Sequence, residues 1–517
     1  MSTVKASTHR VAIRADASVA IGTGHLKRCL SLAQALIEAG AEVRFVCRRI
    51  DAVAAQVLDT QASAAQWLPV PADALSPEPY SPPHAAWAGV RQTQDAADTA
   101  QALADWRPST VVVDHYAFDA RWHQAVRGAL RCRLLVIDDT ADRALDADVL
   151  LDHNWAPDHY TKYARCLQRE PLWLCGPRFA LLARAYQGAA RYRFHGALRS
   201  IGIFMGGTDP GGVSARVLAA CRCGGFTGPV EMVSTSSNPQ LADLREACQR
   251  DGNTTLTLDQ SDLAAFFARH DLQIGAGGGA TWERCCIGAP AVVLALVANQ
   301  STVVQGLAAL GAVRAAEEAT LPGVLQDLIA NLAARQSLAE RAAALVDGRG
   351  AQRVAVAISR DQLQLRPAEA YDAPLLHGWR NHPSVRAVSA TEAPIAFEAH
   401  EAWVRAVLAH PARWLFVGEV GQLPVGSIRF DRLANGHLEV SLYLDPDLQG
   451  LGLGRRLLAA GERALLALHP AGITVDASVQ PGNTASQQLF SASGYHGGPL
   501  KYEKTIGPLS GPTEAAP

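Results

Sequence analysis

The chain has 517 residues, 49% of them hydrophobic and 19% charged, with a formal net charge of -2. At roughly 100–200 residues per domain this gives two or three compact domains, and the composition excludes a disordered chain. No block of lysine and arginine marks a nucleic-acid or membrane surface, which leaves a small-molecule substrate as the default. Residues 1–10 are polar without an apolar core, so no signal peptide is expected. No run of about 18 apolar residues offers a membrane span, so a cytoplasmic location is expected. The ten cysteines lie between Cys29 and Cys286 without a CxxC pair. They read as reduced, mostly buried thiols, and no metal is expected.

In chain order, short apolar runs at 11–15, 42–47, 110–114 and 134–138 read as buried strands, with helical stretches such as 26–39 between them. A polar stretch at 186–196 interrupts the pattern. It restarts with strands expected at 200–204, 229–233, 271–274 and 291–296. This alternation predicts two α/β halves with parallel sheets, 9–190 and 191–355, as two Rossmann-like domains facing a cleft. A helix over 332–346 is expected to end at Asp347-Gly348. Strands at 363–366, 414–419, 424–430 and 439–444 then predict a third α/β domain with a mixed or antiparallel sheet, 362–505. The Pro- and Gly-rich tail after Lys504 reads as disordered. The sequence sets no oligomeric state.

The first expected strand runs into Gly22, Gly24 and His25, then a helix carrying Arg28. Glycines let the backbone turn tightly, and a helix N-terminus offers free N–H groups to an anion. His25 would point into the cleft at the carboxyl end of its strand, where ligands bind in open α/β sheets. An ordinary imidazole suits a general base near neutral pH. The competing reading is a histidine that merely caps or packs the helix start.

Three loops of the second half also sit at strand ends: Gly206-Gly207-Thr208-Asp209, a stretch with Thr235 and Ser236, and Gly277-Gly278-Gly279 leading to Glu283. A glycine run at a strand-to-helix turn can cradle phosphate. Glu283 is placed to accept from ribose hydroxyls, and Asn299 and Gln300 to contact sugar or phosphate. A tight turn explains any one loop, but less readily three at successive strand ends.

These motifs appear in order with Val113-Asp114-His115-Tyr116, Ile137-Asp138-Asp139, Gly176-Pro177-Arg178-Phe179 and Trp282-Glu283. Over residues 9–350 the series resembles the UDP-sugar hydrolase of pseudaminic acid biosynthesis, a family similar to the GT-B glycosyltransferases that make lipid II. The resemblance implies hydrolysis of UDP-2,4-diacetamido-2,4,6-trideoxy-β-L-altropyranose with inversion and without metal. It makes His25 the base that activates water and places Tyr116 near the reacting sugar. It also implies that the second-half loops, with Glu283, hold UDP. One departure stands out: the family's arginine after an Ala-Leu-Leu run is here Ala183, with Arg184 one place later. On a helix that shift swings the side chain by roughly 100°.

Near the end, Gln449-Gly450-Leu451-Gly452-Leu453-Gly454-Arg455-Arg456 forms a Gly-rich turn before a basic amphipathic helix. Its backbone N–H groups would grip a pyrophosphate, with Arg455 or Arg456 adding charge. A dinucleotide-binding loop fits less well, for want of a parallel βαβ context. The run resembles motif A of the GNAT acetyltransferases. Trp379-Arg380-Asn381, Asn483, Phe490 and Gly494-Tyr495 extend the likeness over residues 362–505. The resemblance implies acetyl-CoA as co-substrate. Gly450, Gly452 and Gly454 then hold its pyrophosphate, and Asn483 lies by the pantetheine or the helix that holds it. Where many members place a tyrosine that reprotonates the thiolate, Phe490 has no proton to give. Glu439 is a candidate base, against an ordinary strand carboxylate. The pairing of domains points to acetylation of a UDP-4-amino sugar followed by UDP removal. The alternatives are a GT-B glycosyltransferase with a GNAT domain acting on another amino sugar or a protein amine, and a nucleotide-sugar binding module.

Overall fold

The structure, a computed structural model, describes residues 9–59, 65–70, 82–389, 391–498 and 500–507. Residues 1–8 and the tail beyond residue 507, read above for a leader and for disorder, lie outside these. The chain divides into two compact units, one of Arg10–Ala35 with Val43–Val354, the other built on the chain from Ala355 onward. Among the described residues no helix is long and apolar enough to cross a membrane. The ten cysteines are free thiols, seven of them buried.

The first unit holds two parallel sheets. One is built from β1 (Arg10–Ala15), β2 (Glu42–Arg48), β3 (Ala65–Leu68), β4 (Thr110–Asp114), β5 (Arg133–Ile137), β6 (Val149–Asp152) and β7 (Leu172–Cys175). Their order is β3-β2-β1-β4-β5-β6-β7. The other is built from β8 (Ile201–Phe204), β9 (Val230–Ser234), β10 (Thr254–Leu258), β11 (Leu272–Ala276), β12 (Ala291–Leu294) and β13 (Arg314–Ala315), in the order β10-β9-β8-β11-β12-β13. Both are doubly wound, as expected for Rossmann-like domains. Runs such as Thr110–Asp114, buried at every position, are what a parallel sheet covered on both faces requires. In each sheet the order reverses once, between β1 and β4 and between β8 and β11. Such reversals leave a crevice at the strands' carboxyl ends.

The eight strands expected in this unit occur with shifts of one or two residues. β3, β6, β7, β10 and β13 were not foreseen: they are short or, in the Thr-Leu alternation of β10, half-polar. Gly348, at φ +85°, turns the chain after the helix Leu332–Leu345, but helix resumes at Gly350–Ser359. The Ala180–Leu182 run is not helical. Ala180 and Ala183 are extended, and a short 3-10 turn starts at Arg184. Neighbouring side chains on this extended stretch point to opposite sides instead of lying roughly 100° apart.

The two Rossmann-like domains touch through the loop after β6. Trp155 packs against the second domain's core, and its ring lies against Gly306, where an added Cβ would stand 2.0 Å from it. Gly306→Ala must displace a ring in a filled core and is expected to cost about 1–3 kcal/mol. Thermal melting checks this: an unchanged midpoint would show that Trp155 yields freely.

The second unit carries one mixed sheet of β14 (Gln364–Pro367), β15 (Arg413–Val420), β16 (Leu423–Arg432), β17 (Leu438–Leu444), β18 (Ile473–Ser478), β19 (His496–Gly497) and β20 (Lys501–Ile506). The order is β14-β15-β16-β17-β18-β20-β19. Only β17 and β18 run parallel; every other pairing is antiparallel. Their ladder covers Leu438–Val475 and Glu439–Asp476. The rest of β17 runs on without a ladder partner on that side among the described residues. The sheet opens there, just before the Gly-rich turn.

Candidate functional site

The loop after β1 and the end of β4 meet at the first sheet's reversal point. Gly22 takes φ +78°, a left-handed turn natural to glycine, and its amide bonds Ser18 O at 2.8 Å. The helix Gly24–Glu38 follows, placing His25 and Arg28 one turn apart over β4. A side chain at Gly22 or Gly24 would meet nothing within 4 Å, so the loop faces open space.

His25 Nδ1 lies 2.6 Å from Asp114 Oδ1. Arg28 donates to both oxygens of the same carboxylate, each at 2.6 Å. Burial would raise the Asp114 carboxyl, but Arg28 and then His25 outweigh it and hold the group well below the usual carboxylate range. An ionised Asp114 only accepts, so it selects the tautomer of His25 whose Nδ1 carries the proton. Tyr116 crosses the His25 ring edge-on at a centroid distance of 4.7 Å. Its hydroxyl donates to Asp139 Oδ1. Burial, then the charge of Asp139, pushes the phenol up, so it remains a donor. Trp87 and His84 complete an aromatic wall, 5.8 and 5.6 Å from Tyr116.

Behind this wall lies a buried ionic network that the sequence did not disclose. Arg14 and Arg48 both bond Asp95, while Arg14 also grips Asp16 at 2.6 and 2.8 Å. All four side chains are at most 1% exposed.

In the second domain the glycine loops again sit at a reversal point. Gly206 takes φ +104° with open space at its Cβ position. Thr235 Oγ1 donates to Gly207 O at 2.8 Å, and the Ser236 amide bonds Asp259 at 2.9 Å, so both residues brace their loops. Thr208 and Asn299 are exposed. Asp209 accepts from the amides of Val213 and Ser214 at 3.0 and 2.8 Å. It thereby caps the helix that follows β8 and occupies the place an anion would take there. The helix Ala280–Ile287 starts at Gly279, which brings no side chain to cap it, and the amides of Thr281 and Trp282 bond the carbonyls of Gly278 and Gly279 at 2.9 and 3.0 Å. Gly277 is needed for packing, since a Cβ would stand 2.5 Å from Val304, whereas Gly278 and Gly279 have no such close neighbour. Gln300 lies against Gly277 and Gly278, its Oε1 accepting from the Leu296 amide at 3.0 Å. Helix N-termini of this kind can receive an anion.

Glu283 sits one turn into this helix beside Tyr186. Burial raises its carboxyl, and Tyr186, Arg284 and Lys27 only partly offset that. A carboxyl raised in the folded state binds more protons folded than unfolded, so it costs stability as pH rises through the gap between the two values. Glu283→Gln removes that cost. The variant is expected to melt higher than the parent at pH 7 and equally at pH 4, which melting curves at both values would check.

In the second unit, Gly450 and Gly452 take φ +82° and +74°, and Gly452 caps the helix Leu453–Leu468 without a side-chain bond. A Cβ placed at Gly454 would meet Leu489 at an ordinary 3.6 Å. Arg455 is exposed, whereas Arg456 pairs with Asp361. Arg360, which sequence reading missed, comes within 4.0 Å of a Cβ placed at Gly452. Asn483 caps the helix Thr484–Ala492, its side chain accepting from Ser486 N at 3.1 Å. Phe490 is buried edge-on to Tyr495.

Glu439 accepts from Ser478 Oγ at 2.8 Å. It stands in one row of carboxylates across the sheet, with Asp431, Asp476 and Glu503 as successive register partners. Ligand-type atoms of His437, Asp476 and Glu503 lie within 4.8 Å of one another. The shorter contact, His437 Nδ1 to Asp476 at 3.0 Å, is an ordinary ion-pair geometry.

Residues 362–496 match the family model of the acetyltransferase (GNAT) domain. This stretch is a GNAT acetyltransferase domain. Such a domain implies acetyl-CoA as the acyl donor. A 188-residue part of the chain is 28% identical to the spore coat polysaccharide biosynthesis protein SpsG of Bacillus subtilis (strain 168), covering 35% of this chain and 56% of that protein. The match therefore spans little more than half of that relative. Among solved structures, MurG of Acinetobacter baumannii aligns over 68% of this chain and 98% of its own, at 16% identity and TM-score 0.46. An acetyltransferase from Thermus thermophilus aligns over 28% of this chain and 97% of its own, at 28% identity and TM-score 0.25.

Proposed function

We propose that the two Rossmann-like domains form a GT-B-type nucleotide-sugar hydrolase and that the GNAT domain prepares its substrate. The observation that carries this reading is the His25–Asp114 pair at the first sheet's reversal point. Asp114 fixes the proton on Nδ1, leaving Nε2 free to take one from water. Water attacks the anomeric carbon, the bond from that carbon to the UDP oxygen breaks, and the water proton passes to Nε2. UDP leaves as an anion, stabilised by the N-terminus at Gly278 and Gly279, with Glu283 on the ribose. Tyr116, a donor pinned by Asp139, borders the sugar. The sugar product is inverted, since water and leaving group occupy opposite faces.

In the GNAT domain, Glu439 takes a proton from the substrate ammonium, drawn by the carboxylate row around it. The free amine attacks the thioester, the acetyl group moves to nitrogen, and the coenzyme A thiolate takes its proton from water. The substrates that fit both halves are UDP-4-amino-4,6-dideoxy-2-acetamido-β-L-altropyranose for acetylation and its diacetamido product for hydrolysis.

The test follows phosphorus signals of the UDP-4-amino sugar mixed with the protein, with and without acetyl-CoA. UDP release only with acetyl-CoA supports both activities in that order. Release without it keeps the hydrolase and removes the ordering. A demand for an acceptor other than water moves the reading to a glycosyltransferase.

A further inference from the structure

The Tyr116 hydroxyl does not end its chain of hydrogen bonds at Asp139. The second carboxylate oxygen of Asp139 accepts from Asn154 Nδ2 at 2.7 Å. On its other side, Asn154 Oδ1 accepts from Trp282 Nε1 at 3.0 Å. An indole N–H only donates and a carboxylate only accepts, so the amide has one orientation that satisfies both. Its backbone is fixed as well: the amide bonds Asp152 Oδ1 at 3.0 Å and the carbonyl meets His159 Nε2 at 3.1 Å. Lys162 holds the Asp139 carbonyl at 2.7 Å.

Trp282 is 2% exposed and stands in the first turn of the helix Ala280–Ile287. The relay Tyr116–Asp139–Asn154–Trp282 therefore joins the His25 centre of the first domain to the helix Ala280–Ile287 of the second, where the hydrolase reading seats the nucleotide. Interdomain adhesion alone does not call for it, because Trp155 on Gly306 already supplies a packed contact. A buried amide with both ends committed adds direction, which packing lacks.

We infer that Asn154 is a positioning residue that sets Asp139, and through it the Tyr116 hydroxyl, according to the seating of the nucleotide helix. The hydrolytic centre is then complete only when the two domains hold the register seen here. This deepens the hydrolase reading above and rests on it.

Two readouts test the inference. The first needs no substrate. The chain has ten tryptophans, and the Trp282 indole N–H resonance is identified by its loss in Trp282→Phe. Asp139→Ala is expected to move that resonance from the other domain, and to move it no further once Asn154→Ala is present. The second is kinetic. Asn154→Ala is expected to lower kcat for UDP release about tenfold or more, the scale of a lost hydrogen bond to a charged group, with UDP affinity within about threefold. Trp282→Phe should fall likewise, and the double variant no further than the lower single. An unmoved Trp282 resonance with kcat within twofold of wild type overturns the inference. If the wild type releases no UDP, the hydrolase reading fails and the resonance alone decides the coupling. Should Asn154→Ala not fold, Asn154→Asp serves in its place, keeping the size and the Trp282 acceptor while setting a second carboxylate against Asp139.

Discussion

His25→Ala is expected to lower the rate of UDP release by about 10²–10⁴, the range of a positioned general base. UDP affinity should stay within about twofold, because the proposed nucleotide contacts all lie in the second domain. The fold should survive. Arg28 keeps both of its bonds to Asp114 when the imidazole is gone, so no buried charge is left without a partner. That separates this variant from a change at Asp114, which would strand Arg28. Steady-state UDP release together with UDP titration calorimetry measures both quantities. A rate within tenfold of wild type would remove His25 from the chemistry and leave it as a residue that packs the helix start.

Asp95→Ala is expected to have the largest effect on stability. Asp95 is fully buried and accepts from Arg14, Arg48, Thr99 and Trp122. Burial alone would raise its carboxyl, but Arg14 and Arg48 hold it below the usual range. Removing it leaves each of two buried guanidinium groups short of one carboxylate, Arg14 keeping Asp16 and Arg48 keeping Asp98. Breaking a buried pair by deleting one partner costs about 3–5 kcal/mol. For a domain of this size that lowers the melting midpoint by roughly 10 °C. The loss should appear in the first domain's transition and leave acetyl transfer by the GNAT domain unchanged at temperatures below it. A shift of less than 2 °C would show that water or a neighbouring carboxylate replaces Asp95 readily.

The parts of this molecule that sequence reading reached share a physical cause. Strands of a parallel sheet are apolar throughout, so Thr110–Asp114 reads from five consecutive residues. Loops that need left-handed backbone keep their glycines, so Gly22, Gly206, Gly450 and Gly452 stand out. Contacts between distant residues leave no such mark. Asp139 appeared inside a motif without a role, because its role comes from Tyr116 on one side and Asn154 on the other. Trp282 and Asn154 are 128 positions apart, and neither residue type announces the other. The Arg14–Asp16–Arg48–Asp95 network was equally silent: four charges spread over three elements read as ordinary polar positions until the fold closes them together. Some legible loops also do structural work that their sequence did not disclose. Thr235 and Ser236 brace their loops through Gly207 and Asp259, and Asp209 caps the start of a helix.

In the proposed reaction water attacks the sugar carbon, with His25 as its base and UDP as the leaving group. Hydrolysis in water enriched in oxygen-18, followed by mass spectrometry of both products, tests it directly. One heavy oxygen is expected in the released sugar and none in UDP. Heavy oxygen in the β-phosphate of UDP would mean attack at phosphorus and would contradict it.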